Sequence, residues 1–145
     1  MARTIYFSGS ISGGREDLAM YRRIVGRLER DGHRVQAGTV TSAAVHDGGE
    51  NLPAAEIFAR DLRWMAEVAA AGGVLVAEVS RPSTGVGYEV AAARYRFGMA
   101  VICLWRPAFT RRCSGMVAGD PGLRLIEYAD DSVEQMLADL ELALR

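Results

Sequence analysis

With 145 residues the chain has the length of one domain, and it can bury a sizeable core without disulfides or metals. Lys and Arg number 17 against 18 Asp and Glu, so the formal net charge is −1 and the basic stripe that duplex binding needs is excluded. No apolar run approaches the roughly 20 residues of a membrane span, so neither a nucleic acid nor a membrane is an expected partner.

The chain alternates short apolar strands with amphipathic helices. A first strand is expected over about 4–8, followed by the loop Gly9-Ser10-Ile11-Ser12-Gly13-Gly14. The next segment, roughly 16–31, carries Leu18, Tyr21, Ile24, Val25 and Leu28 at helical spacing, and Gly32 is placed to end it. A second strand follows at about 33–37. Residues 38–51 are rich in Gly, Thr, Ser and Asn and read as an active-site loop. Asn51 and Pro53 signal a helix start, and that helix runs to about Ala71. The third strand, 74–79, is an apolar run but for Glu78, as in a strand buried on both faces. A helix over about 84–97 leads to a fourth strand over 100–105. A long irregular connection spans about 106–122. A fifth strand over 123–128 and a final helix over 131–144, capped by Asp131 or Ser132, complete the chain.

This order predicts one α/β domain over residues 1–145, with a doubly wound, five-stranded parallel sheet and helices on both faces. The architecture is Rossmann-like, or flavodoxin-like. Ligands in such sheets bind beyond the carboxyl ends of the strands, so the loops after Ser8, Val79 and Trp105 are expected to form the site. The chain starts directly on a strand rather than on the apolar stretch of a signal peptide. Cys103 lies in an apolar run and Cys113 in a polar loop, with neither disulfide nor zinc-ligand spacing. A cytoplasmic enzyme without a metal or cofactor is the expectation. His33 and His46 stand far apart and lack clustered partners, so neither reads as a ligand.

The segment Ser80-Arg81-Pro82-Ser83-Thr84-Gly85-Val86-Gly87-Tyr88-Glu89 is the most informative. It leaves a buried strand and opens a helix. Glycines there admit close backbone approach, and free N–H groups at a helix start favour an anion. Glu89 falls in the second turn among Gly85, Val86, Ala92 and Ala93, where a carboxylate is costly unless paired or functional. The plainer reading is a structural turn followed by a surface Glu. Asp61 sits on the inward stripe of its helix, between Ile57 and Met65; the alternative is an Asp at the stripe's edge paired with Arg60 or Arg63. Tyr6, near the end of the first strand, either reaches a ligand or is a core aromatic with a satisfied hydroxyl. The loop Gly9–Gly14 matches neither GxGxxG nor a P-loop, and it lacks a Lys. No GxSxG elbow is present, which removes the Ser hydrolase reading.

Together, Tyr6 to Asp17, Asp61-Leu62-Arg63-Trp64, Val76-Ala77-Glu78-Val79 and Ser83 to Glu89 resemble the 2′-deoxynucleoside 5′-monophosphate N-glycosidases, the Rcl family within the nucleoside 2-deoxyribosyltransferase group. The likeness runs from about residue 4 to 128. It implies hydrolysis of the N-glycosidic bond of a deoxynucleotide, giving free base and 2-deoxyribose 5-phosphate. It implies that Glu89 is the nucleophile, that Asp61 assists at the sugar and leaving base, and that Tyr6 orients Glu89. It further implies that Gly9, Ser10, Ile11, Ser12, Gly13, Gly14, Arg15, Ser83, Gly85 and Gly87 hold the nucleotide. Ser114 matches a serine donated to the phosphate across a homodimer interface. Two departures stand out: Ser12 occupies the position of an Arg that helps bind the phosphate, and Phe58 stands where a histidine is often found. The competing readings are a deoxyribosyltransferase and a non-catalytic nucleotide sensor.

Overall fold

The computed structural model describes residues 1–11, 16–45 and 48–145. Five strands, β1 (Thr4–Ser8), β2 (Arg34–Gln36), β3 (Val74–Glu78), β4 (Ala100–Trp105) and β5 (Leu123–Glu127), form one parallel sheet in the order β2-β1-β3-β4-β5. That is the flavodoxin-like strand order, with the reversal between β1 and β3. Tyr6 is level with Leu75, and Ser8 with Ala77.

The helices are α1 (Leu18–Arg30), α2 (Ala54–Ala70), α3 (Thr84–Ala91), the short α4 (Gly115–Ala118) and α5 (Val133–Leu144). Because strand side chains alternate between faces, the sheet makes two cores. Ile5, Phe7, Val76, Ile102 and Leu104 pack with Tyr21, Ile24 and Leu28 of α1 and Met136 and Leu140 of α5. Tyr6, Leu75, Ala77, Val101 and Cys103 pack with Met65 and Val68 of α2 and Val86 and Val90 of α3. Gly73 sits tightly before β3, where a Cβ would come within 2.5 Å of the Thr4 carbonyl oxygen and of Val68.

Most expected elements are present with ends moved by one to three residues, which is where helix and strand ends fray. Two differ in kind. The helix expected over 84–97 is α-helical only to Ala91 and continues as a π-helical turn, Ala92–Arg96, in which Phe97 N–H donates to the Ala92 carbonyl. In the connection 106–122, residues Gly115–Ala118 form the short α4. At the last helix, Ser132 receives the Ala129 N–H at 2.8 Å and closes a 3₁₀ turn, Asp130–Ser132, ahead of α5. Among the described residues, no helix is long and apolar enough to cross a membrane, and no group of three His, Cys, Asp or Glu could hold a metal.

Candidate active site

A cleft of about 310 Å³ opens at the carboxyl ends of β1 and β3, beside the reversal of strand order. Gly9 and Ile11 line it from the loop after β1, Gly48, Gly49 and Glu50 from the loop before α2, Ile57 and Asp61 from α2, and Ser83, Gly85, Val86 and Glu89 from the start of α3. The expectation of a functional loop within 38–51 therefore meets the cleft at its end. Gly9 is required by packing as well, since a Cβ there would lie 3.0 Å from Val40 and 3.1 Å from the Tyr21 ring.

α3 starts where the Ser83 hydroxyl accepts the Val86 N–H at 3.3 Å, an N-cap that fixes the first turn. Packing demands neither nearby glycine. A Cβ at Gly87 would meet nothing within 4 Å, and one at Gly85 only Ser83 Oγ at 4.0 Å. The bare helix start leaves room for an approaching ligand. Glu89 follows one turn later, and β1 holds it from the other side. Ser8 Oγ donates to Glu89 Oε1 at 3.1 Å, and the Tyr6 hydroxyl donates to the same carboxyl group. Tyr6 and Ser8 are two apart on a strand, so they share one face.

Burial pushes the Glu89 carboxyl up to about 7; the Tyr6 and Ser8 hydrogen bonds pull it down, and the Asp61 charge raises it again. Burial, with Glu89 beside it, holds the Tyr6 phenol far above its ordinary range. Asp61 is raised by burial and lowered by Arg60, whose Nη2 lies 2.8 Å from Asp61 Oδ1. Arg60 also makes a fork to Glu50, 2.6 Å to each oxygen, and its guanidinium lies 4.6 Å from the centre of the Trp64 ring. Asp61 therefore lines the cleft while paired with Arg60.

The other anticipated residues are distributed unevenly. Tyr6 packs within the core and reaches Glu89 rather than the open cleft. Ser10 is buried, its N–H donating to the Tyr21 hydroxyl at 3.1 Å. Gly87 lines a different depression, because two residues turn a helix by about 200°. Ser114 lies in that same depression, with Tyr95 and Met116. The expectation that the loop after Trp105 lines the cleft is corrected: that connection borders the second depression and supplies no residue to the cleft lining. Ser12, Gly13, Gly14, Arg15 and His46 lie outside the described residues. His33 is structural, its Nδ1 receiving the Arg3 N–H at 3.0 Å and its Nε2 lying 2.8 Å from Glu141.

Sequence reasoning missed Ser8 and Glu50, and it named Arg60 only as a partner for Asp61. The signal for Ser8 was present, since a hydroxyl two residues after Tyr6 on a strand must share its face. The Arg60–Glu50 fork joins residues ten apart across a loop, and no periodicity reports it.

No protein-family model matches the chain. It is 41% identical over 139 residues to the 5-hydroxymethyl-dUMP N-hydrolase of Mus musculus, covering 92% of this chain and 77% of that one. It is 38% identical to the protein of the same name from Homo sapiens, with 92% and 76% covered. A putative 2′-deoxynucleoside 5′-phosphate N-hydrolase of Nematostella vectensis is 36% identical, with 99% and 97% covered. The fold matches that of a CMP N-glycosidase of Clostridium botulinum, with a TM-score of 0.66 over 98% of this chain and all of that one, at 15% identity.

Proposed function

The chain belongs to the 2′-deoxynucleoside 5′-monophosphate N-hydrolase family, and from that premise we propose that it releases the base from a 2′-deoxynucleoside 5′-monophosphate through a glycosyl-enzyme ester on Glu89. The observation that carries this reading is the Glu89 carboxyl group, oriented by Tyr6 and Ser8 at the wall of a cleft that Asp61 also lines. At about 310 Å³ the cleft falls in the range of small-molecule sites, roughly 300–1,000 Å³.

In this mechanism the 5′-phosphate rests at the amino end of α3, against Ser83 and the Gly85 backbone, and against the loop after β1. That remote contact holds C1′ to Glu89. As the C1′–N bond breaks, its electron pair leaves with the base, and Asp61 assists at the sugar and at that base. Positive charge develops on C1′, and a Glu89 oxygen bonds to it. Water then attacks C1′, its released proton balancing the one the departing base takes up, the ester bond breaks, and 2-deoxyribose 5-phosphate departs with the Glu89 carboxylate restored. A ribose 2′-hydroxyl would withdraw electrons from C1′, so the deoxy sugar reacts more readily.

The reading extends to assembly and setting. Tyr95 and Met116 are exposed large side chains lining the depression that holds Ser114, and Tyr88 lines an adjoining one that shares Tyr95. Such a surface suits a homodimer in which Ser114 serves the neighbouring subunit's phosphate. Two free cysteines suit a reducing cytoplasm.

The test is incubation with each deoxynucleoside monophosphate, 5-hydroxymethyl-dUMP first, with free base followed by chromatography and sugar phosphate by mass. Release of both products is expected. A second free base in the mixture separates the alternatives, because a transferase makes a new nucleotide and a sensor leaves the substrate intact.

A further inference from the structure

We infer that Arg81 and Arg106 clamp the end of the loop after β1 and act as positioning residues for recognition of the substrate's phosphate; this rests on the function proposed above. The loop after β1 and the turn before α3 line opposite sides of the cleft, through Gly9 and Ile11 on one and Ser83 and Gly85 on the other. Two adjacent acids, Glu16 and Asp17, end the first loop, and each is held by an arginine from a different strand end. Arg81, two residues before the N-cap Ser83, lies 2.5 Å from Glu16. Arg106, directly after β4, makes a buried fork to Asp17, with Nη2 at 2.8 Å from one oxygen and Nη1 at 3.2 Å from the other.

The same arginine ties in the turn before α3. Its backbone N–H donates to Ser80 Oγ at 2.9 Å, and Ser80 in turn hydrogen-bonds the buried Glu78 through both its hydroxyl and its N–H. Arg106 Nε donates to Asp130 at 2.7 Å, which fixes the guanidinium plane from a third side. Phe109 lies over both cations, 4.0 Å from Arg81 and 6.0 Å from Arg106. Tyr21 of α1 meets both described ends of this loop: its N–H donates to the Asp17 carbonyl, and its hydroxyl receives the Ser10 N–H.

Neither arginine lines the cleft. Their effect on a ligand is therefore indirect: they set where the two anion-facing segments stand relative to each other. A planar fork meeting a carboxylate at two points specifies orientation, which a lysine at the same place does not. Displacement of such a segment by about 1 Å costs on the order of 100-fold.

The experiment compares kcat/KM for a deoxynucleoside monophosphate with that for the unphosphorylated deoxynucleoside, in wild type, Arg106→Lys, Asp17→Asn and Arg81→Gln. Positioning predicts that the nucleotide-to-nucleoside ratio falls about 10- to 100-fold in the Arg106 and Asp17 variants, chiefly through KM, and less in Arg81→Gln. A merely structural role would lower Tm and leave the ratio where it was; that result in folded variants overturns the clamp. If Arg106→Lys does not fold, the more peripheral Arg81→Gln decides alone, and an unchanged ratio overturns the inference. Should wild type release no base, the reaction reading fails. Calorimetric Kd values for dUMP and deoxyuridine then test the clamp independently, and equal losses for both in the variants, or no binding of dUMP by wild type, overturn it.

Discussion

Ser8 Oγ donates to Glu89 Oε1 across 3.1 Å, a bond that joins the last residue of β1 to the second turn of α3 over 81 positions of sequence. It favours the ionised carboxylate, the form that the proposed mechanism requires for attack on C1′. The Glu89 carboxyl stands at about 7, so activity should rise with pH through that value. Ser8→Ala removes a bond that lowers it, so the acid limb of kcat/KM should move up. The loss should be about three- to tenfold at pH 6 and largely recovered at pH 8.5. A pH-rate profile checks this, and a limb that stays in place excludes the role given to Ser8.

Glu89→Gln keeps size and shape and should retain the fold, yet lose base release by several orders of magnitude, as should Glu89→Ala. It should also change the pH dependence of stability. Burial raises the folded-state pKa of Glu89 above the unfolded value, so its contribution is fully present below about 4.5 and is lost as pH rises through about 7. Gln does not titrate. The Tm of Glu89→Gln relative to wild type should therefore increase between pH 5 and pH 8, by an amount on the order of 2 kcal/mol in stability. Thermal melts of both proteins across that window measure it. A constant difference would mean that Glu89 is not a desolvated carboxyl group.

Asp61→Asn should separate two effects. The Asp61 charge raises the Glu89 carboxyl, so its removal should shift the acid limb downward. It should also slow base departure, with kcat falling about 100-fold and KM changing little. The Arg60 fork to Glu50 persists in the variant and should preserve the loop before α2. An unmoved limb together with near-normal kcat would remove Asp61 from the mechanism.

How much of this was legible in the sequence differs by residue. The sheet was legible, because Val74–Ala77 and Ala100–Trp105 are apolar runs and α1 repeats its buried residues at helical spacing. Glu89 and Asp61 were legible as carboxylates among small or apolar neighbours. Arg106 was not. It reads as the first residue of an irregular connection, and only folding brings Asp17 and Asp130 to it from 89 and 24 positions away. Glu78 stands in an otherwise apolar strand, and an acid in such a run signals a buried charge that needs partners. Gly87 and Gly85 look equivalent in sequence, but the helical turn sends them to different depressions.

The final prediction concerns assembly. Ser114 lies apart from its own subunit's cleft, beside exposed Tyr95 and Met116. If a second copy covers that surface, Ser114 serves the partner's phosphate, and the protein should run as a dimer in light scattering at assay concentration. Ser114→Ala should raise KM with a smaller change in kcat, because a phosphate contact is mostly uniform binding. Complementation is the sharper measurement. Mixing Ser114→Ala with Glu89→Gln subunits should give some heterodimers with one doubly damaged site and one intact site. That intact site has Glu89 from one subunit and Ser114 from the other. Activity of the mixture should then exceed the mean of the two parents after subunit exchange. A fully active monomer, or a mixture that only averages its parents while exchange is demonstrated, would place Ser114 outside the active site.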